Sequence, residues 1–125
     1  MSKTCSVLVV EDSPIAQASA VSLLESLGCF VQLAGSGRQA IELAQASVFD
    51  LIFMDLGLPD VDVLTVLETI QMHYQAQKKP IPFVIAVTAY HDRNIQARCF
   101  EAGMQEFIIK PLTLSKARDI LEHYT

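Results

Sequence analysis

Five short apolar runs alternate with five helix-like stretches along the chain, and this alternation constrains the fold more than any other feature. The runs fall at Ser6–Val10, Phe30–Leu33, Leu51–Met54, Phe83–Val87 and Glu106–Ile109. Several are apolar throughout, as parallel strands buried on both faces are, and their length suits strands rather than helices. Between them the helix signals are local. Ser13 can cap a first helix, Pro14 suits its first turn and Gly28 can stop it, with Ile15, Ala18, Leu24 and Leu27 near one face. Ser36 is placed to cap a second helix carrying Ala40, Ile41 and Ala44, and Asp62 a third carrying Val63, Leu67, Ile70 and Tyr74. Asp92 opens a fourth in which Ile95, Cys99 and Ala102 share one face, and the fifth buries Ala117, Ile120, Leu121 and Tyr124.

No low-complexity linker interrupts the series, so residues 1–125 read as a single domain. Parallel strands need crossovers, and right-handed crossovers place helices on both faces of the sheet. The expected class is α/β, an open parallel sheet. Ligands of such sheets bind beyond the carboxyl ends of the strands, where the strand order switches.

Composition narrows the function. The chain has 14 acidic against nine basic residues, a formal net charge of −5, and the basic ones are scattered, so nucleic acid is not an expected partner. No apolar stretch approaches the ~20 residues of a membrane helix, and no secretory signal is visible, which makes a cytoplasmic location the expectation, with no direct membrane contact. Cys5, Cys29 and Cys99 have no CxxC spacing and read as small buried hydrophobes, while His73, His91 and His123 read as solvated surface residues.

The polar residues at the carboxyl ends of the strands carry the chemistry. Glu11 and Asp12 follow the first strand, Asp55 the third, Thr88 the fourth and Lys110 the fifth, so five polar groups converge on one edge. Three crowded carboxylates repel unless a cation joins them. Mg²⁺, which takes hard oxygen ligands and uses one or two carboxylates beside a phosphate, suits them, with Mn²⁺ as an alternative. Lys110 and the Thr88 hydroxyl are then placed to contact a phosphoryl group, and Asp55 is available as a nucleophile. Singly, each acid reads as a helix cap or a solvated turn, Thr88 as a strand residue, Lys110 as a surface charge and Phe107 as core. Other chemistries lack their motifs: there is no GxxxxGK[ST] loop, no GxSxG elbow, and no acid two residues after Asp55.

In VLVVEDSP, LIFMDLGLP, AVTA and AGMQEFIIKP the whole chain resembles the receiver domains of two-component signalling, four motifs in order. That resemblance implies a flavodoxin-like (βα)5 fold with strand order 2-1-3-4-5. It implies that Asp12 binds Mg²⁺ directly with Glu11 assisting, that the Gly57 backbone carbonyl is a further ligand, and that Asp55 accepts a phosphoryl group from phosphohistidine with Thr88 and Lys110 in contact. It also implies a cis peptide before Pro111 and a switch in which Phe107, which has no hydroxyl, follows Thr88 by packing. By the same resemblance, Gly57 and Tyr90 modulate the access of water to the phosphoryl group. Such a domain is a phosphoacceptor that assists its own phosphorylation and dephosphorylation rather than an enzyme in its own right. Its partners would be a sensor histidine kinase or a histidine phosphotransfer protein, with the domain a monomer or weak dimer. One departure stands out, the family's Pro-x-Met-Asp-Gly being here Pro59-Asp60-Val61-Asp62-Val63; within the family, Gln17 with Cys99 looks more like the receivers of hybrid kinases. A hybrid-kinase receiver is therefore expected, with a stand-alone regulator or a non-phosphorylated docking module as the alternatives.

Overall fold

The computed structural model describes residues 5–125, so the first four residues of the expected domain lie outside the described ones. Ten elements alternate along the chain: β1 (Ser6–Val10), α1 (Pro14–Ser26), β2 (Phe30–Ala34), α2 (Gly37–Ala46), β3 (Leu51–Asp55), α3 (Val63–Ala76), β4 (Phe83–Thr88), α4 (Arg93–Glu101), β5 (Glu106–Ile109) and α5 (Leu114–Tyr124). The strands form one parallel sheet in the order β2-β1-β3-β4-β5. The order reverses between β1 and β3, which is where an open sheet of this kind leaves a crevice.

Strand alternation divides the core in two. Leu8, Val10, Ile52, Met54, Val84 and Ala86 face a layer that includes Ala40 and Ala44 of α2, Leu67, Ile70 and Tyr74 of α3, and Cys99 of α4. Their neighbours Val7, Val9, Leu51, Phe53, Ile85 and Val87 face Ala20 and Leu24 of α1 and Ala117 and Ile120 of α5. Both faces of the central strands are therefore dry, which is why their polar residues stand at the ends, Ser6 opening β1 and Asp55 and Thr88 closing β3 and β4. Burying these side chains supplies the main driving force of folding, at ~25 cal/mol per Å² of apolar surface removed from water.

Several local expectations change in three dimensions. β2, β3 and β4 each run one residue further than the apolar runs, so Asp55 and Thr88 are the last residues of their strands rather than the first after them. The ladder explains this, because Asp55 pairs with Val87 and Thr88 with Ile109. On α1, Ile15 is 85% exposed and Ala18 is also exposed, and the helix buries Ala20 and Leu24 instead. Ile95, in the first turn of α4, is exposed at 44%, and Cys99 is the residue that helix buries. Ser13 occupies the N-cap of α1 without a side-chain cap bond, whereas Ser36, Asp62 and Asp92 each accept from a backbone N–H of their helix. Gly28 follows α1 at φ +88°, a left-handed conformation that glycine adopts without penalty. Cys29 and Cys99 are buried and Cys5 half-buried, and burial pushes the Cys29 and Cys99 thiols up. His91 and His123 are exposed, but His73 is half-buried with its ring edge-on to Tyr74 at 6.0 Å.

Candidate functional site

Backbone pairing carries the polar residues to one edge and fixes them there. Glu11 N donates to Ala34 O at 3.0 Å, Leu56 N to Val87 O at 3.0 Å and Lys110 N to Thr88 O at 2.7 Å. Each bond extends a ladder just past its strand, so the side chains of Glu11, Asp55 and Lys110 leave rigid backbone. The Lys110–Pro111 peptide is cis.

Glu11 is held at four points. Beyond its N–H, its carbonyl accepts from Gln17 Nε2 at 2.7 Å, its Oε2 from Ser13 N at 3.0 Å and its Oε1 from Lys110 Nζ at 2.7 Å. The Ser13 N–H thus turns inward to the carboxylate. Asp55, 6% exposed, accepts from Gly57 N through Oδ1 at 2.9 Å and presents Oδ2 to Lys110 Nζ at 3.5 Å. Asp12 stays exposed at the mouth of the site. Oxygen atoms of Glu11, Asp12 and Asp55 all lie within 4.8 Å of one another. Oxygens about 3–4.2 Å apart would complete an octahedron with metal–oxygen bonds of ~2.1 Å, so this all-oxygen donor set fits a small hard cation after slight closure.

Lys110 is the one ammonium in this cluster among the described residues. Burial pulls its pKa down, but the hydrogen bond to Glu11 and the charges of Asp55 and Glu11 outweigh that, and the net shift is upward. Its charge is secure at neutral pH. The ammonium prefers Glu11 to Asp55 by 0.8 Å, from 2.7 and 3.5 Å, which leaves Asp55 Oδ2 the less committed oxygen.

The other expected residues surround this cluster. Thr88 is half-buried, and its Oγ1 accepts from Tyr90 N at 3.3 Å, which ties down the start of the β4–α4 loop. Tyr90 itself is 79% exposed. Phe107 is half-buried against the core layer shared by α3 and α4. Gly57 is exposed. Beside the acids lies a largely apolar cleft of about 500 Å³ between α1 and the β5–α5 turn, lined by Ala16, Ala20, Phe53, Val87 and Pro111, with Ile15 on its rim. Two supporting groups were not evident from sequence: the Gln17 amide that pins the Glu11 carbonyl, and Asp60, whose carboxylate reaches α2. Neither carries a local signal, since each partner is distant in the chain or reached across a turn.

An open α/β domain with a lysine-braced carboxylate cluster at its switch point is the class that fold and site define. A sequence profile of the response regulator receiver domain matches residues 7–122, and the chain belongs to that family. Hybrid signal transduction histidine kinase K of Dictyostelium discoideum is 37% identical over 120 residues, which are 93% of this chain and 10% of that protein. Signal transduction histidine-protein kinase BarA of Escherichia coli is 35% identical over 118 residues, 94% of this chain and 12% of that protein. The chain therefore spans about a tenth of the length of these curated relatives. Among solved structures, the receiver domain of sensor histidine kinase PA1611 from Pseudomonas aeruginosa, with magnesium coordinated in its active-site cleft, superposes with a TM-score of 0.83 at 30% identity over 98% of both chains.

Proposed function

We propose that this chain is the single receiver domain of a hybrid sensor histidine kinase, working in the cytoplasm, and that Asp55 accepts a phosphoryl group from phosphohistidine in a phosphorelay. The observation that carries the reading is the convergence of Glu11, Asp12 and Asp55 with Lys110 Nζ 3.5 Å from Asp55 Oδ2. Support for the hybrid origin comes from the hybrid kinases among its relatives.

In this reading the less committed Oδ2 of Asp55 attacks phosphorus, the phosphorus–nitrogen bond breaks, and the departing imidazole takes a proton from solvent. Gly57 N–H holds Oδ1 and so orients the nucleophile, while Lys110 moves from Glu11 toward the phosphoryl oxygens it neutralises. Asp12, Asp55, the Gly57 backbone carbonyl and, through water, Glu11 would hold Mg²⁺ or Mn²⁺, which supplies charge neutralisation to the transferring group. Thr88 Oγ1 leaves Tyr90 N for the phosphoryl group, and Phe107 follows by repacking, so the face formed by α4, β5 and α5 reports the change; a few kcal/mol suffices for such a two-state bias. The apolar cleft and exposed Ile15 offer a footing for a histidine kinase or histidine phosphotransfer protein that carries the donor. Gly57 and Tyr90 then govern how readily water reaches the aspartyl phosphate.

Intact mass after incubation with Mg²⁺ and acetyl phosphate, beside an Asp55→Asn control, tests the reading. The wild type should gain one phosphoryl group that the variant lacks and that chelation prevents. No gain from acetyl phosphate or from a phosphorylated histidine phosphotransfer protein would defeat it.

A further inference from the structure

The loop from β3 to α3, residues 56–62, is fastened to the rest of the domain at both ends. At its start, Leu56 N donates to Val87 O and Gly57 N to Asp55 Oδ1. Near its other end Asp60 reaches away from its own helix to α2, where Oδ1 accepts from Gly37 N at 3.0 Å and Oδ2 from Arg38 N at 3.1 Å. Gly37 and Arg38 are the first two residues of α2, whose N–H groups have no partner within the helix. The third, Gln39 N, donates to Ser36 Oγ at 3.1 Å, and Ala40 N reaches Ser36 O at 3.0 Å. The start of α2 is thus satisfied half by its own cap and half by a loop more than twenty residues away. A carboxylate at this positive end of the helix is also favoured by the macrodipole, and the Gly37 N–H, ahead of the other contacts, draws the Asp60 carboxyl below its ordinary range.

A second contact fastens the same segment. A Cβ added to Gly37 would fall 2.2 Å from Val61 Cγ2 and 2.9 Å from Val66 Cγ2, so glycine is what lets Val61 lie directly on the backbone of α2. The polar clamp of Asp60 and the apolar contact of Val61 act on adjacent residues. Between these anchors and Asp55 lie only Leu56, Gly57, Leu58 and Pro59, of which Leu58 is buried. The segment that carries Gly57 is therefore short and held from both sides.

We propose that Asp60 is a positioning residue for the cation site: by clamping the loop to the N-terminus of α2, it holds the Gly57 backbone in place without itself touching metal or phosphoryl group. This rests on the phosphoacceptor reading above. Loss of groups that orient metal ligands costs ~10–100-fold in metal affinity, and a clamp acting through the loop should fall at the low end, about 10-fold.

The test is Mg²⁺ titration of the full chain by isothermal calorimetry, with amide hydrogen exchange of each metal-free protein, for wild type, Asp60→Ala and Asp60→Asn. Asp60→Ala should weaken Mg²⁺ binding about 10-fold and Asp60→Asn, which keeps a neutral acceptor, by less. Exchange should quicken at Gly57 as well as at Gly37 and Arg38. A cap that serves α2 alone would quicken Gly37 and Arg38, lower the Tm and leave both Gly57 exchange and Mg²⁺ affinity unchanged, which overturns the proposal. Should Asp60→Ala not fold, Asp60→Asn decides by the same readouts. A wild-type protein that binds no Mg²⁺ would overturn the phosphoacceptor reading together with this one, whereas wild-type binding matched by the variants overturns the positioning role alone.

Discussion

Lys110→Met removes the ammonium that pairs with Glu11 and Asp55 in this carboxylate cluster while keeping much of the volume of the side chain. In the wild type that ammonium lies 2.7 Å from Glu11 and 3.5 Å from Asp55, two carboxylates 5% and 6% exposed. Three carboxylates and one ammonium sum to −2, and the variant leaves −3 in the same space. Removing one member of a fully buried pair costs about 3–5 kcal/mol, because the other charge is left uncompensated. The Lys110 side chain is 29% exposed, so water recovers part of this and about 2–3 kcal/mol remains. For 125 residues the entropy of unfolding is ~0.26 kcal/mol/K, which converts the loss to about 8–12 °C in Tm. Differential scanning calorimetry in the presence of a chelator should show that drop. Adding Mg²⁺ should then raise the Tm of the variant more than that of the wild type, since a cation entering a −3 site gains more than one entering a −2 site. Equal Tm values in chelator, or an equal rise with Mg²⁺, would refute the view that lysine and metal answer to the same carboxylates.

Other perturbations probe the frame around the site. Gly37→Ala forces Val61 and Val66 aside and should cost about 1–3 kcal/mol, as overpacking does; an unchanged urea midpoint would count against the tight loop–helix contact. Tyr74, 1% exposed, accepts from Phe49 N at 3.0 Å and donates to Ser47 O at 3.2 Å, so Tyr74→Phe strands a buried N–H and should cost about 1–3 kcal/mol by chemical denaturation. Tyr124, which donates to Glu106 Oε1 at 2.9 Å, has its pKa pushed up to about 12 by burial and then by Glu106. Because the folded value lies above the unfolded ~10, its contribution to stability is complete below pH ~10 and lost as pH rises toward 12. An ultraviolet titration with Tyr124→Phe as reference should isolate that group at about 12, and Glu106→Gln should lower it.

β1, β3 and β4 were legible because burial on both faces leaves no room for polar residues in their interiors, whereas β2, which is half-buried and carries Gln32, and β5, which opens on Glu106, were legible from their place in the alternation. The same physics made the edge legible: a buried parallel strand that terminates in carboxylate, threonine or lysine announces where solvent and ligand begin. Helix caps at Ser36, Asp62 and Asp92 were local enough to read, since donor and acceptor lie within three residues. Helix faces were less so. Ile15 and Ile95 keep the apolar character of core positions yet are exposed, and a helical period does not say which of a helix's apolar residues the sheet covers.

Sequence by itself determined the βα order, the two-faced burial and the identity of the acids and lysine that meet at one edge, because each follows from residue type and local periodicity. Tertiary structure alone decided that Lys110 sits closer to Glu11 than to Asp55, that Ser13 N–H turns to a carboxylate, and that Asp60 caps a helix from a distant loop. Those choices depend on distances between segments far apart in the chain, set by strand register and helix packing, to which no local pattern of residues is sensitive.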